Sequence, residues 1–109
     1  MNEATKKIDL SSEQLEIVNN ILRTHVSSCA VWVFGSRISG KAKPASDLDL
    51  AIDCEKPIDS KVLGLMADVF SESNLPIKVD LVDLNRVDES FRKIIEEQRV
   101  LLQAGRNPL

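Results

Sequence analysis

The sequence predicts one α/β domain in which a mixed β-sheet is covered by helices, and three observations carry that prediction. Segments with apolar residues at helical period interleave with short runs of strand character, in the order α-β-loop-β-α-β-α-β. The chain has 109 residues, enough for one modest core and too few for a second. Hydrophobic residues make up 43% and charged residues 28%, the balance of a folded domain rather than a disordered chain. We therefore expect a single domain over residues 1–109, with its core at about 12–103 and frayed ends, the last being "AGRNPL".

The first helix is expected in "SSEQLEIVNNILRTHV". Ser11 and Gln14 have capping-box spacing, and Leu15, Val18, Ile21 and Leu22 fall on one face. "CAVWVF" follows, a β-branched and aromatic run that stops at Gly35. In "SDLDLAID", Leu48, Leu50 and Ile52 point one way while Asp47, Asp49, Ala51 and Asp53 point the other. "IDSKVLGLMADVFSESN" reads as a helix with Val62, Leu65, Met66, Val69 and Phe70 as its buried stripe. Pro76 ends the connection to a third strand, "IKVDLVDL". Asp88 is placed to cap "ESFRKIIEEQ", and "RVLLQ" suits a short edge strand. Trp32 and Phe34 are expected in the core, although so small a domain risks leaving one of them partly uncovered.

Composition narrows the function. A net charge of -3 without a run of like charges speaks against a standing nucleic-acid surface, so no direct nucleic-acid binding is expected. The longest apolar run, Cys29 to Phe34, is far short of the ~20 residues of a membrane helix. The N-terminus lacks the apolar core of a signal peptide, and the chain reads as cytoplasmic. Cys29 and Cys54 have no metal-binding spacing and are expected as two small hydrophobes in a reducing compartment. His25, alone near a helix end, is expected to interact with that terminus.

From Gly35 to Lys41 the chain spells G-x-x-x-x-G-K, seven of the eight positions of a phosphate loop of the Walker A type. The eighth position, whose hydroxyl would hold magnesium, is Ala42. Pro44 follows, and the next segment alternates like a strand where that loop needs a helix. The match is accidental.

A second pattern is more specific. Gly35-Ser36 ends a strand, Asp47-Leu48-Asp49 begins the next, and Asp80 sits in a third. Aspartate is disfavoured inside strands, so carboxylates on one sheet face need a reason. Residues i and i+2 lie ~6.6–6.8 Å apart on one face and neighbouring strands ~4.8 Å apart, so Asp47, Asp49 and Asp80 can share a patch. Two like charges ~4 Å apart repel by roughly 4 kcal/mol at an effective dielectric of 20. Hard divalent cations remove that penalty, and a pair of them can clamp both oxygens of a phosphoryl displacement. Gly35 lets the backbone approach a phosphate, and Ser36 adds a hydroxyl and an amide.

This arrangement, G-S, ten residues, D-x-D and a later Asp, resembles the DNA polymerase β-like nucleotidyltransferase superfamily. "FGSRISGKAKPASDLDLAI" and the small size look most like its minimal nucleotidyltransferase (MNT) family, over about Val31 to Leu102. The resemblance implies a polymerase β palm-like domain. It implies Gly35, Ser36 and Arg37 as nucleotide and phosphate ligands, and Asp47, Asp49 and Asp80 as catalytic, metal-binding carboxylates. Asp80 would act on the acceptor hydroxyl. Implied cofactors are two Mg²⁺ ions, with Mn²⁺ as a substitute, and ATP as substrate. The implied partner is a small helical HEPN-type ribonuclease toxin in a hetero-oligomer, with AMP placed on one of its tyrosines. Relatives carry a second loop arginine where this chain has Ser39, which puts nucleotide affinity in question. An antitoxin acting by occlusion and a transferase for small-molecule acceptors are the competing expectations.

Overall fold

The computed structural model describes residues 8–105. Helix α1 (Ser12–His25) starts where its capping box requires: Ser11 Oγ accepts from the Gln14 amide at 3.1 Å, and the Ser11 amide donates to Gln14 Oε1 at 2.9 Å. Its buried residues are the four the spacing selects, Leu15, Val18, Ile21 and Leu22, and His25 falls in its last turn. Strand β1 (Ala30–Phe34) buries Val31 and Val33 on the α1 side. After a four-residue helix α2 (Ser36–Ser39) and a loop, β2 (Leu48–Asp53) buries Leu48, Leu50 and Ile52 in the same core. Helix α3 (Ser60–Glu72) begins at Asp59, whose carboxylate accepts from the Lys61 amide. Strand β3 (Val79–Asp83) then leads to α4 (Glu89–Glu97), capped by Asp88 on the Phe91 amide at 2.8 Å, and to β4 (Val100–Gln103).

The sheet order is β3-β2-β1-β4, with β2 parallel to β3 and both other pairs antiparallel. It is therefore mixed, and β4 closes it as an edge strand beside β1. Helices α1 and α3 cover one face over the larger core. On the other face α4 seals a smaller cluster, in which Ala51, Leu84 and Ile95 are buried and Trp32, Phe34 and Val82 are half-buried. Trp32 and Phe34 thus pack at a margin, neither fully inside nor free. No described helix is long and apolar enough to cross a membrane. The frayed ends expected from the sequence fall mainly on residues 1–7 and 106–109, outside the described residues.

Three expectations are corrected. Leu65 is 53% exposed, not part of the buried stripe of α3. With Met66 facing the core, successive steps of about 100° put Val62, Leu63, Val69 and Phe70 within about 60° of it and Leu65 about 100° away. Leu63 takes the inward place. The segment after Gly35, expected as loop, forms the short helix α2, with Gly40 in the left-handed region at φ +80° ending it. Lastly, Cys29 and Cys54 are not free thiols but a disulfide, with Cα atoms 4.4 Å apart. Ala30 pairs with Asp53, so the antiparallel register sets the flanking positions 29 and 54 opposite each other. Residues twenty-five apart in sequence give no hint of that until the register is known.

Candidate active site

Three strand positions line up across one end of the sheet. Asp80 on β3 is the register partner of Asp49 on β2, and Asp49 is the partner of Phe34 on β1. Asp49 is half-buried and Asp80 exposed, while Asp47 lies exposed just ahead of β2. Burial raises the Asp49 carboxyl above its ordinary value, the neighbouring Asp80 charge raises it further, and Asp47 adds to both. The acidic neighbours are therefore close enough to be felt. They are not, however, a preformed cage: among the described residues no three carboxylate, imidazole or thiolate groups are set to hold a metal ion. Asp47 and Asp80 are both exposed, so packing does not fix their side chains. The donor set, all carboxylate oxygen, suits a hard cation such as Mg²⁺.

Gly35 is required here for two separate reasons. Its φ is +81°, a conformation that side-chain-bearing residues rarely adopt. A Cβ built on it would also run into the Asp49 carboxylate. The strand end and the carboxylate are thus packed backbone against oxygen, and Ser36 opens α2 directly after.

Beyond Gly40-Lys41 no helix begins. Instead the Ser46 amide donates to Lys43 O at 2.9 Å, a turn that Ser46 Oγ closes by accepting from the Lys43 amide at 2.8 Å. The chain then enters β2. The only helix in this stretch lies inside the G-x-x-x-x-G-K string, not after it, which removes the phosphate-loop alternative on structural grounds.

Arg37 is placed differently from its neighbours in the motif. It is 5% exposed. Its Nη1 donates to Asp9 O at 3.0 Å, and its Nη2 donates to Pro44 O at 3.1 Å and Ser46 O at 2.8 Å. The Arg37 carbonyl in turn accepts from the Asp9 amide at 2.7 Å. The guanidinium thereby ties the segment before α1 to the loop that delivers Asp47, one residue beyond Ser46. Ser39, which stands where relatives have a second arginine, is exposed and bonds back to Ser36 O at 3.3 Å.

The sequence reading missed the carboxylate network at the opposite end of β2. Asp53 accepts from Asn85 Nδ2 at 2.9 Å and from the Glu55 amide at 2.8 Å, with Arg92 at 3.6 Å. Asp83 accepts from the Ile58 amide at 2.7 Å and the Asn85 amide at 2.9 Å, with Arg86 at 3.3 Å. Asp53 had the same alternation as Asp47 and Asp49; its partners Asn85 and Arg92 come from distant sequence and left no signal.

Comparison with known proteins identifies the family and the fold. Residues 16–107 match the family described as "Polymerase beta, Nucleotidyltransferase". The chain is 47% identical over 97 residues to a Haemophilus influenzae protein named "Probable protein adenylyltransferase MntA", covering 89% of this chain and 85% of that one. A solved toxin–antitoxin with AMP-PNP superposes with a TM-score of 0.72 at 25% identity, over 84% of this chain and 73% of the other. An MNT antitoxin in complex with a tri-AMPylated HEPN toxin of Shewanella oneidensis shares the fold, with a TM-score of 0.67 at 22% identity over 89% and 74% of the two chains. A family match spanning most of the domain, on a sheet that sets Gly35 against Asp49 and Asp49 beside Asp80, means that this chain belongs to the polymerase β nucleotidyltransferase family.

Proposed function

We propose that the chain transfers AMP from ATP to a hydroxyl of a partner protein, forming an oxygen–phosphorus bond at the α-phosphate and releasing pyrophosphate, and acts as the antitoxin of a HEPN-type toxin. One observation carries the reading: Asp49 is held against Gly35 and beside Asp80 with its carboxyl raised by burial and acidic neighbours. A structural carboxylate would have partners; this one has what a cation would relieve. The Haemophilus relative, named as a probable protein adenylyltransferase, and the solved relative bound to AMP-PNP support the same chemistry.

In this reading Asp47 and Asp49 would hold Mg²⁺, with Asp80 touching the same site, and the ion would supply charge to the transferring phosphoryl group. Gly35 admits the triphosphate close to the backbone, and Ser36 donates to it. Asp80 takes the proton of the acceptor hydroxyl or orients it, most simply a tyrosine of the toxin. Arg37 we assign to shaping the loop that carries Asp47 rather than to phosphate, since it is buried and its Nη1 and Nη2 already donate to three carbonyls. We place the reaction in the cytoplasm, where ATP is, and in a hetero-oligomer with the toxin.

A second reading, neutralisation by occlusion alone, draws on one observation, the absence of a preformed three-ligand cluster. Intact-mass spectrometry separates the two. A HEPN-type toxin co-expressed with the chain should gain the mass of one or more AMP units. A partner that is neutralised and co-purifies without added mass would leave occlusion as the function.

A further inference from the structure

Four large hydrophobic side chains are exposed among the described residues, and they are unevenly placed. Leu65 belongs to α3, on the far side of the sheet. Phe91 (37% exposed), Ile94 (64%) and Leu101 (45%) lie on α4 and on the edge strand beside β1. Phe91 and Ile94 are three residues apart and so neighbours on one helix face. The Phe91 ring meets Phe34 edge-on at 6.3 Å, and Phe34 is the register partner of Asp49. Leu101 is the partner of Trp32, a half-buried ring under the Arg99 guanidinium. Apolar surface therefore continues from the catalytic row outward onto α4.

A protein acceptor sets a condition on this surface. To bring a hydroxyl to the Asp49–Asp80 row, its backbone must cover the ground next to that row. On the β3 side the row ends at a sheet edge with Asp80 and Lys78 exposed, which offers charge and little apolar area. On the β1 side lie Phe34, Phe91 and Ile94, where burial favours association and aromatic anchors carry most of the affinity. We propose that the Phe91–Ile94 face of α4, continuous with Phe34 beside Asp49, is the docking surface for the protein that accepts AMP. The inference rests on the reading of a protein acceptor, and it names the face by which that acceptor reaches the site.

The test uses a HEPN-type toxin protein as probe and the full chain in four forms: wild type, Phe91→Asp, Ile94→Asp and Leu65→Asp. Affinity for the probe should fall about 30-fold or more in each α4 variant, the range of a lost central anchor, and stay unchanged in Leu65→Asp. AMP transfer to the probe should fall with it, while Mg-ATP binding by the isolated chain stays as in wild type. Ile94 is the more exposed position, so Ile94→Asp carries the test should Phe91→Asp unfold. Unchanged affinity in a folded Ile94→Asp protein overturns the proposal, as does a wild-type chain that self-associates through this face and ignores the probe. A probe that docks here, is released by Ile94→Asp and gains no AMP would keep the docking surface and sink the transferase reading instead.

Discussion

The two ends of β2 carry carboxylates in opposite surroundings. At the Asp53 end, burial pushes the carboxyl up, but the Asn85 hydrogen bond, the Glu55 amide and the charges of Arg92 and Arg99 outweigh it and hold it below the ordinary range. Asp83 close by accepts from two backbone amides and pairs with Arg86. At the Asp49 end burial acts in the same direction and nothing opposes it; Asp80 and Asp47 push further the same way. All the ion pairs among the described residues involve Arg86 or Arg92, remote from that row. One strand thus shows how a carboxylate is satisfied by a fold and how one is left for something the fold does not contain. Strained electrostatics next to a satisfied network is the pattern of a site rather than of poor packing.

The largest effect expected from this contrast is chemical. Asp80→Asn should lower AMP transfer by ~10²–10⁴-fold, the worth of a general base, while Mg-ATP affinity measured by calorimetry changes little. Equal losses in binding and transfer would make Asp80 a ligand of the nucleotide complex and nothing more.

Next is the disulfide, which sits at the Asp53 end. Cys29 and Cys54 close a loop with a sequence separation of 25, for which loss of the cross-link is expected to cost roughly 3–4 kcal/mol. Reduction by dithiothreitol should lower the melting temperature, and Cys29→Ser with Cys54→Ser should match it. Metal response at the Asp49 end should survive both. A reduced protein that no longer responds to Mg²⁺ would show the two ends to be one cooperative unit.

Asp83 gives the third test. Asp83→Ala leaves the buried Ile58 amide without its acceptor and should cost about 2–3 kcal/mol in urea denaturation. If it leaves stability unchanged, the satisfied end is not what holds the β2–β3 connection.

The smallest effects are the most discriminating, because their signs oppose. For Asp49 the folded carboxyl is raised, so its contribution to stability is present below the ordinary value of 3.8 and lost as pH rises through the folded value. Asp49→Asn should therefore melt higher than wild type at pH 7 without metal, converge with it in acid, and show no rise with millimolar Mg²⁺. For Asp53 the folded carboxyl is lowered, so its contribution is present above 3.8 and lost as pH falls through the folded value. Asp53→Asn should melt lower at pH 7 and converge in acid. Asp53 is half-buried and its Arg92 partner is partly screened by solvent, so the difference should be about 1 kcal/mol or less. Shifts of the same sign at both positions would contradict the contrast.

Much of this was legible before the structure. Period and capping located α1 and α4 through Ser11–Gln14 and Asp88, because those signals are local. Alternation placed Asp49 on its strand, and the spacing from Gly35-Ser36 pointed to the sheet end where Gly35, Asp49 and Asp80 meet. What stayed hidden depends on register or long-range partners. The pairing of Cys29 with Cys54 follows from Ala30 opposite Asp53, which no local pattern states. Arg37 was expected to contact phosphate, and its buried bonding was hidden because its three acceptors belong to residues 9, 44 and 46. Leu65 was misplaced by one step of a helix whose inward arc could be drawn through Leu63 as well.

The contact between Gly35 and the Asp49 carboxylate also sets an order of events in descent. While an aspartate stands at 49, a side chain at 35 must push its carboxylate aside and also adopt a φ of +81°, so the glycine is doubly favoured. Once the aspartate is replaced by a smaller residue the collision goes, but the backbone at φ +81° still disfavours anything but glycine. A lineage sliding from catalysis to mere occlusion would therefore shed its carboxylate early and keep its glycine long after. A glycine at 35 is thus weak testimony to activity; on the proposed function, the aspartate at 49 is the more telling residue.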